Sequence, residues 1–123
     1  MKLEKIMVIE DDMIIQLFIS KVIKNAGFEI TGLARSCQKA LELLAKTKPD
    51  LILMDIGIAG DKDGIETAVL INKDYDIPII FMTGNSDCLT TEKAKATNPI
   101  DILLKPIDEA RLKGKLLQLK DEN

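Results

Sequence analysis

Histidine and tryptophan are absent from this sequence of 123 residues, which holds one tyrosine and two cysteines. Without an imidazole the chain has no His-based acid/base catalysis, no His metal ligand and no phosphohistidine of its own. Aromatic residues make up 3% of the sequence, too few to build stacking platforms for bases or sugars. Cys37 and Cys88 show no CxxC or metal-ligand spacing and no adjacent basic residue. They are expected to be reduced thiols rather than a disulfide or a redox site. Long apolar runs are missing as well. Lys2, Glu4 and Lys5 interrupt the N-terminal apolar stretch, and nothing elsewhere approaches the ~20 residues a bilayer crossing needs. No signal peptide and no membrane insertion are expected, and the cytoplasm is the expected compartment.

What is present is an ordinary globular composition. Apolar residues account for 46% of a chain close to one domain in length. A chain of that size buries roughly 65–70% of the surface its unfolded form exposes, so it needs no metal or disulfide staple. A single domain over residues 1–123 is expected. Acidic residues outnumber basic ones by 20 to 17, for a net charge of −3. That is the wrong sign for a general nucleic-acid binder.

Two periods alternate from end to end, short apolar runs and longer stretches with helical spacing. Ile6 to Ile9 reads as a buried first strand because it is continuously apolar. Asp11 or Asp12 caps the helix that follows. From Met13 to Ala26 the residues Ile14, Leu17, Phe18 and Val22 form one wide apolar face, and Gly27 ends the helix. Glu29 to Ala34 is a second strand, Ser36 caps a helix running to Thr47, and Leu51 to Met54 is a third strand ending on Asp55. A Gly- and Asp-rich loop follows from Gly57 to Gly64, then a helix from Ile65 to Tyr75 and a fourth strand from Ile77 to Met82. A polar helix from Ser86 to Ala96, a fifth strand from Ile100 to Leu104, and a last helix opening at Lys105-Pro106 complete the chain, with a frayed tail from Lys120 to Asn123. Five strands alternating with five helices imply an α/β fold, a parallel sheet wound on both faces.

In such sheets the functional groups gather at the carboxyl ends of the strands. Here those ends carry Glu10-Asp11-Asp12, Asp55, Thr83 and Lys105-Pro106. Each has a plain local explanation as a cap, a turn residue or a solvated charge. Together they put several carboxylates on one rim, where mutual repulsion favours a bound cation. All-oxygen ligands point to Mg²⁺, the usual partner of phosphoryl groups. Lys105 supplies an ammonium that can contact a carboxylate and later a phosphoryl oxygen, and Thr83 a hydroxyl that can donate to the same oxygen.

The segments Val8-Ile9-Glu10-Asp11-Asp12, Lys48-Pro49-Asp50-Leu51-Ile52-Leu53-Met54-Asp55, Asp63-Gly64-Ile65-Glu66, Ile79-Ile80-Phe81-Met82-Thr83-Gly84 and Leu103-Leu104-Lys105-Pro106 stand in this order and spacing. In that arrangement the chain resembles, over essentially its whole length, the receiver domain of the two-component response-regulator family. The resemblance implies a flavodoxin-like strand order 2-1-3-4-5. It implies Asp55 as the phosphoacceptor for a sensor histidine kinase, a phosphotransfer protein or a small acyl phosphate. It places Glu10 and Asp11 at the acidic pair of a Mg²⁺ site, with Asp11 the favoured direct ligand and the Gly57 carbonyl completing the protein's share. Thr83 matches the switch hydroxyl, Lys105 the family's lysine, and Pro106 a proline that is cis in relatives.

The chain departs from the family pattern in the coupling elements. Ile102 stands where relatives carry Tyr or Phe, and a β-branched side chain with no hydroxyl removes an aromatic rotamer switch. Ala59 stands where a proline is common, the loop from Gly57 to Gly64 is one residue longer, and Asn98-Pro99 replaces a usual Gly-Ala. Greater loop mobility is the expected result. No output domain is expected within the chain, so a free-standing protein would act through a downstream protein effector and a fragment through an attached output domain. A phosphorylation-independent interaction module of the same fold is the competing reading. A flavin- or nucleotide-binding protein would need a Gly-rich loop after the first strand, which is missing.

Overall fold

The computed structural model describes residues 2–58, 60–84 and 87–121. Its elements are β1 (Lys5–Ile9), α1 (Met13–Asn25), β2 (Glu29–Ala34), α2 (Cys37–Leu44), β3 (Leu51–Asp55), α3 (Gly64–Asp74), β4 (Ile79–Thr83), α4 (Cys88–Lys95), β5 (Asp101–Leu104) and α5 (Glu109–Asp121). The five strands are parallel in the order β2-β1-β3-β4-β5. The α/β class, the winding and the flavodoxin-like order are therefore as expected. Ala59, Ser86 and the last two residues, on which some expectations fell, lie outside the described residues.

Strand alternation divides the interior into two cores. Ile6, Val8, Leu51, Leu53, Ile80 and Met82 point to one face and pack with Ile19, Val22 and Ile23 of α1 and Leu112, Leu116 and Leu119 of α5. Met7, Ile9, Ile52, Met54, Ile79 and Phe81 point to the other and meet Ala40 and Leu44 of α2, Ala68 and Ile71 of α3, and Ala94 of α4. Both faces of β3 and β4 are covered, which is why these strands are continuously apolar up to the polar residue at each end.

The helix boundaries follow local hydrogen bonding. Asp12, not Asp11, caps α1 by accepting from the backbone N–H groups of Ile14 and Ile15. Asp63 and Glu66 form a reciprocal capping box that starts α3 at Gly64. Asp87 caps α4, so Thr83 does not have that role. The last helix does not open at Lys105-Pro106. Asp108 accepts from the N–H of Arg111 at 3.2 Å, and the helix begins at Glu109. Nor is the tail frayed as far back as Lys120. Lys120 and Asp121 are helical, and the Lys120 ammonium lies 5.5 Å from the Phe28 ring centre. The helix beginning at Cys37 stops at Leu44, short of Thr47, and β4 begins two residues later than expected, after Pro78.

The orientation of α1 differs from the expected one. Ile14, Leu17 and Phe18, assigned to the buried face, are 79%, 60% and 38% exposed. The face turned to the sheet carries Gln16, Ile19, Ser20, Val22 and Ile23. The helix is apolar on more than one side, so its hydrophobic period alone does not choose a buried face. The choice comes from the cap at Asp12, which fixes where the first turn leaves the end of β1.

Two glycines serve the backbone directly. Gly27 adopts φ +93° after α1, a conformation that L side chains rarely accept. Gly64 donates its N–H to the Ile56 carbonyl at 2.7 Å. A Cβ at Gly64 would run into the Asp55 carbonyl oxygen and the Ile56 Cα. We therefore expect Gly64→Ala to lower unfolding stability by about 1–3 kcal/mol. Gly114→Ala, on an exposed stretch of α5 with open space around it, should raise stability by about 0.5–1 kcal/mol. Urea denaturation of the two variants checks both signs.

Candidate functional site

The strand order brings the ends of β1, β3, β4 and β5 to one rim. Ile9 pairs with Met54, Asp55 with Met82, and Thr83 with Leu104. Glu10 therefore emerges beside Asp55, and the Lys105 N–H donates to the Thr83 carbonyl at 2.8 Å. Carboxylate oxygens of Glu10, Asp11 and Asp55 all lie within 4.8 Å of one another. The Lys105 ammonium reaches into the group, 2.9 Å from Glu10 Oε1 and 3.2 Å from Asp55 Oδ1. Glu10 is wholly buried, and Asp55 and Thr83 nearly so. Gly57 is exposed and turns its N–H toward Asp55 Oδ1 at 3.1 Å.

Three clustered carboxyl groups, two of them paired with one ammonium, leave an excess of negative charge in a partly water-excluded place. Burial, the largest influence on Glu10, pushes its carboxyl up to about 7. The hydrogen bonds from Lys105 and from the Asp12 backbone oppose the rise, and the neighbouring Asp55 adds to it. Burial works against the Lys105 ammonium, but its bond to Glu10 and the charges of Asp55 and Glu10 outweigh that and hold its pKa above the ordinary lysine value. The donor set is all oxygen and acidic, which fits a hard divalent cation and not a soft one.

Of the remaining expected residues, Pro106 follows a cis peptide bond. Ile102 is half-buried on β5 opposite Phe81. It lines a groove of about 490 Å³ that also touches Thr83, Lys95, Asn98 and Leu104. Ile102 and Thr83 thus line the same groove beside α4 and β5.

Two contacts at the rim were not foreseen. The Gln16 side-chain amide donates to the Glu10 carbonyl at 3.0 Å and to the Ala34 carbonyl at 3.3 Å. The Arg35 Nε donates to the Asp11 carbonyl at 3.2 Å. For Gln16 the available signal was an amide set among the apolar residues Ile14, Ile15, Leu17 and Phe18.

The sequence pattern of the family described as the response regulator receiver domain matches residues 6–117. The transcriptional regulatory protein PdtaR of Mycobacterium tuberculosis is 31% identical over 102 residues, which cover 83% of this chain and 49% of that protein. The uncharacterized transcriptional regulatory protein YrkP of Bacillus subtilis is 31% identical over 113 residues, covering 92% of this chain and 48% of YrkP. The chain thus spans about half the length of these curated relatives. Among solved structures, the signal receiver domain of a modulated diguanylate cyclase from Desulfovibrio desulfuricans superposes with a TM-score of 0.87 at 26% identity, covering 98% of this chain and 95% of that one.

The raised Glu10 carboxyl has a thermodynamic consequence. A carboxyl that holds its proton more tightly when folded stabilises the fold most below its ordinary value of 4.5, and that contribution is lost as pH rises through about 7. In metal-free buffer the urea midpoint should fall between about pH 5 and about pH 8, and Glu10→Gln should flatten the decline.

Proposed function

The chain belongs to the response regulator receiver domain family, and on that premise we propose that it is a phosphorylatable switch whose phosphoacceptor is Asp55. An Asp55 carboxylate oxygen attacks the phosphorus of a phosphohistidine on a partner histidine kinase or phosphotransfer protein, or of a small acyl phosphate. A new O–P bond forms, the donor's P–N or P–O bond breaks, and the electron pair leaves with the imidazole or the carboxylate. The observation that carries this reading is the convergence of Glu10, Asp11 and Asp55 with the Lys105 ammonium at one strand-end rim.

Each side chain has a defined task. Lys105 exchanges its contact with the carboxylates for one with a phosphoryl oxygen, and the Thr83 hydroxyl donates to the same group. The Gly57 N–H orients Asp55 through its bond to Oδ1. Glu10, Asp11 and Asp55, with the Gly57 carbonyl, would hold Mg²⁺, which when bound neutralises charge on the phosphoryl oxygens. The catalytic demand on the protein is positioning and electrostatics rather than turnover. Water later hydrolyses the aspartyl phosphate and resets the switch.

A protein phosphodonor is supported by the outer face of α1. Met13, Ile14 and Leu17 are exposed there, and Ile14, Phe18, Pro106 and Ile107 line an apolar groove of about 300 Å³ that Lys105 borders. An apolar surface continuous with the site suits a helix that carries the phosphoryl group. The output follows from protein contacts or from an output domain attached to this single receiver domain, in the cytoplasm. Among the described residues no helix is long and apolar enough to cross a membrane. One observation favours the second reading, an interaction module that signals without phosphorylation: Ile102 sits where an aromatic switch residue would be.

Incubation with acetyl phosphate and Mg²⁺ should give one phosphoryl adduct by intact mass, absent in Asp55→Asn and absent when the divalent ion is chelated. Lys105→Met should slow adduct formation by about 10²–10³-fold. Ile14→Asp, on the outer face of α1, should leave the acetyl phosphate reaction unchanged. A wild-type protein that gains no adduct would decide for the unphosphorylated module.

A further inference from the structure

The turn between β1 and α1 is held by several hydrogen bonds. The Glu10 N–H donates to the Ala34 carbonyl at 2.9 Å. Its carboxylate accepts from the Asp12 N–H at 3.1 Å and from Lys105 at 2.9 Å. Asp12 in turn caps α1. Among the described residues, the Asp11 carboxylate has no hydrogen bond or ion pair. A fixed turn that presents one carboxylate without a partner has the form of a ligand site prepared in advance.

The backbone carbonyl of Glu10 is the hinge point of that turn, because the chain leaves the sheet there. It is held by Gln16, which is 7% exposed and lies on the sheet-facing side of α1. The same amide nitrogen reaches the Ala34 carbonyl, so one side chain joins the residue after β1 and the last residue of β2 to the first turn of α1. Two carbonyl oxygens in reach require the NH₂ group and not the amide oxygen to face them. The Ser20 hydroxyl, one turn further along the same face, donates to the Gln16 backbone carbonyl at 2.7 Å and makes no bond to the side-chain amide.

We propose that Gln16 is a positioning residue for the cation site, holding the Glu10 carbonyl so that the Glu10 and Asp11 carboxylates stay aimed at Asp55. The inference rests on the switch reading above and names the device that makes its cation site rigid. A burial-only role would have been met by an apolar side chain such as those of Ile19 and Ile23, which pack the same face of α1 into the core. Placing an amide there instead satisfies a backbone carbonyl of a ligand residue, the arrangement by which outer groups orient metal ligands.

The test is Mg²⁺ binding measured by calorimetry, without any phosphodonor. Gln16→Met keeps the volume and removes both donors, and it should weaken Mg²⁺ affinity about tenfold or more. Ser20→Ala, which removes a hydrogen bond on the same buried face one turn further from the site, should lose stability while leaving the affinity unchanged. A second measurement uses the unaltered protein. In a Mg²⁺ titration followed by NMR, the Gln16 side-chain amide should shift with the same dissociation constant as the Glu10 and Asp11 backbone amides, while the surface amide of Gln38 stays still. Wild-type affinity in a folded Gln16→Met, or a Gln16 amide that does not respond to Mg²⁺, would overturn the proposal. Absence of Mg²⁺ binding by the wild type would instead overturn the switch reading on which it rests.

Discussion

The arrangement of this molecule depends on keeping three carboxyl groups close together at the edge of a dry sheet. Left to themselves such groups separate or take up protons. They stay because Glu10 follows directly from the buried end of β1, Asp55 is the last residue of β3, and both strands are locked between two apolar cores. One ammonium, from the far side of the sheet, offsets part of the charge. The fold therefore stores an electrostatic tension that an added cation would relieve, and the stability of the scaffold and the chemistry of the rim are two sides of one constraint.

Much of this could be read in the sequence because the relevant signals are short and local. An apolar run that gives way to an acid states both its burial and its exit, and this happens just after β1 at Glu10 and at the last residue of β3, Asp55. Parallel crossovers put the carboxyl ends of the strands on one rim, which makes Thr83 and Lys105 legible there with Asp55, whereas the strand order comes through the family resemblance. The cis bond before Pro106 likewise came through the family resemblance.

Other features were not legible, for physical reasons. The buried face of α1 was misassigned because Ile14, Leu17 and Phe18 look as suitable for a core as Ile19 and Ile23 do. Their exposure reflects where the Asp12 cap turns the chain, a three-dimensional fact with no periodic trace. The contacts of Gln16 and Arg35 are with backbone carbonyls, which every residue has, so composition gives them no partner to suggest. The helix starts at Cys88 and Glu109 depended on which of several neighbouring polar residues won the competition to cap.

Cohesion around the sheet is uneven. Ile19, Val22 and Ile23 anchor α1, whereas Ala94 is the only buried residue of α4. Withdrawing one methyl group from a core costs about 0.8 kcal/mol, a quantity comparable to thermal energy, while lifting the three large side chains of α1 costs several times more. The helix nearest the Thr83 side of the rim is thus the loosest shutter on the molecule. A modest push there can be expressed as altered motion of one segment, with the rest of the architecture undisturbed.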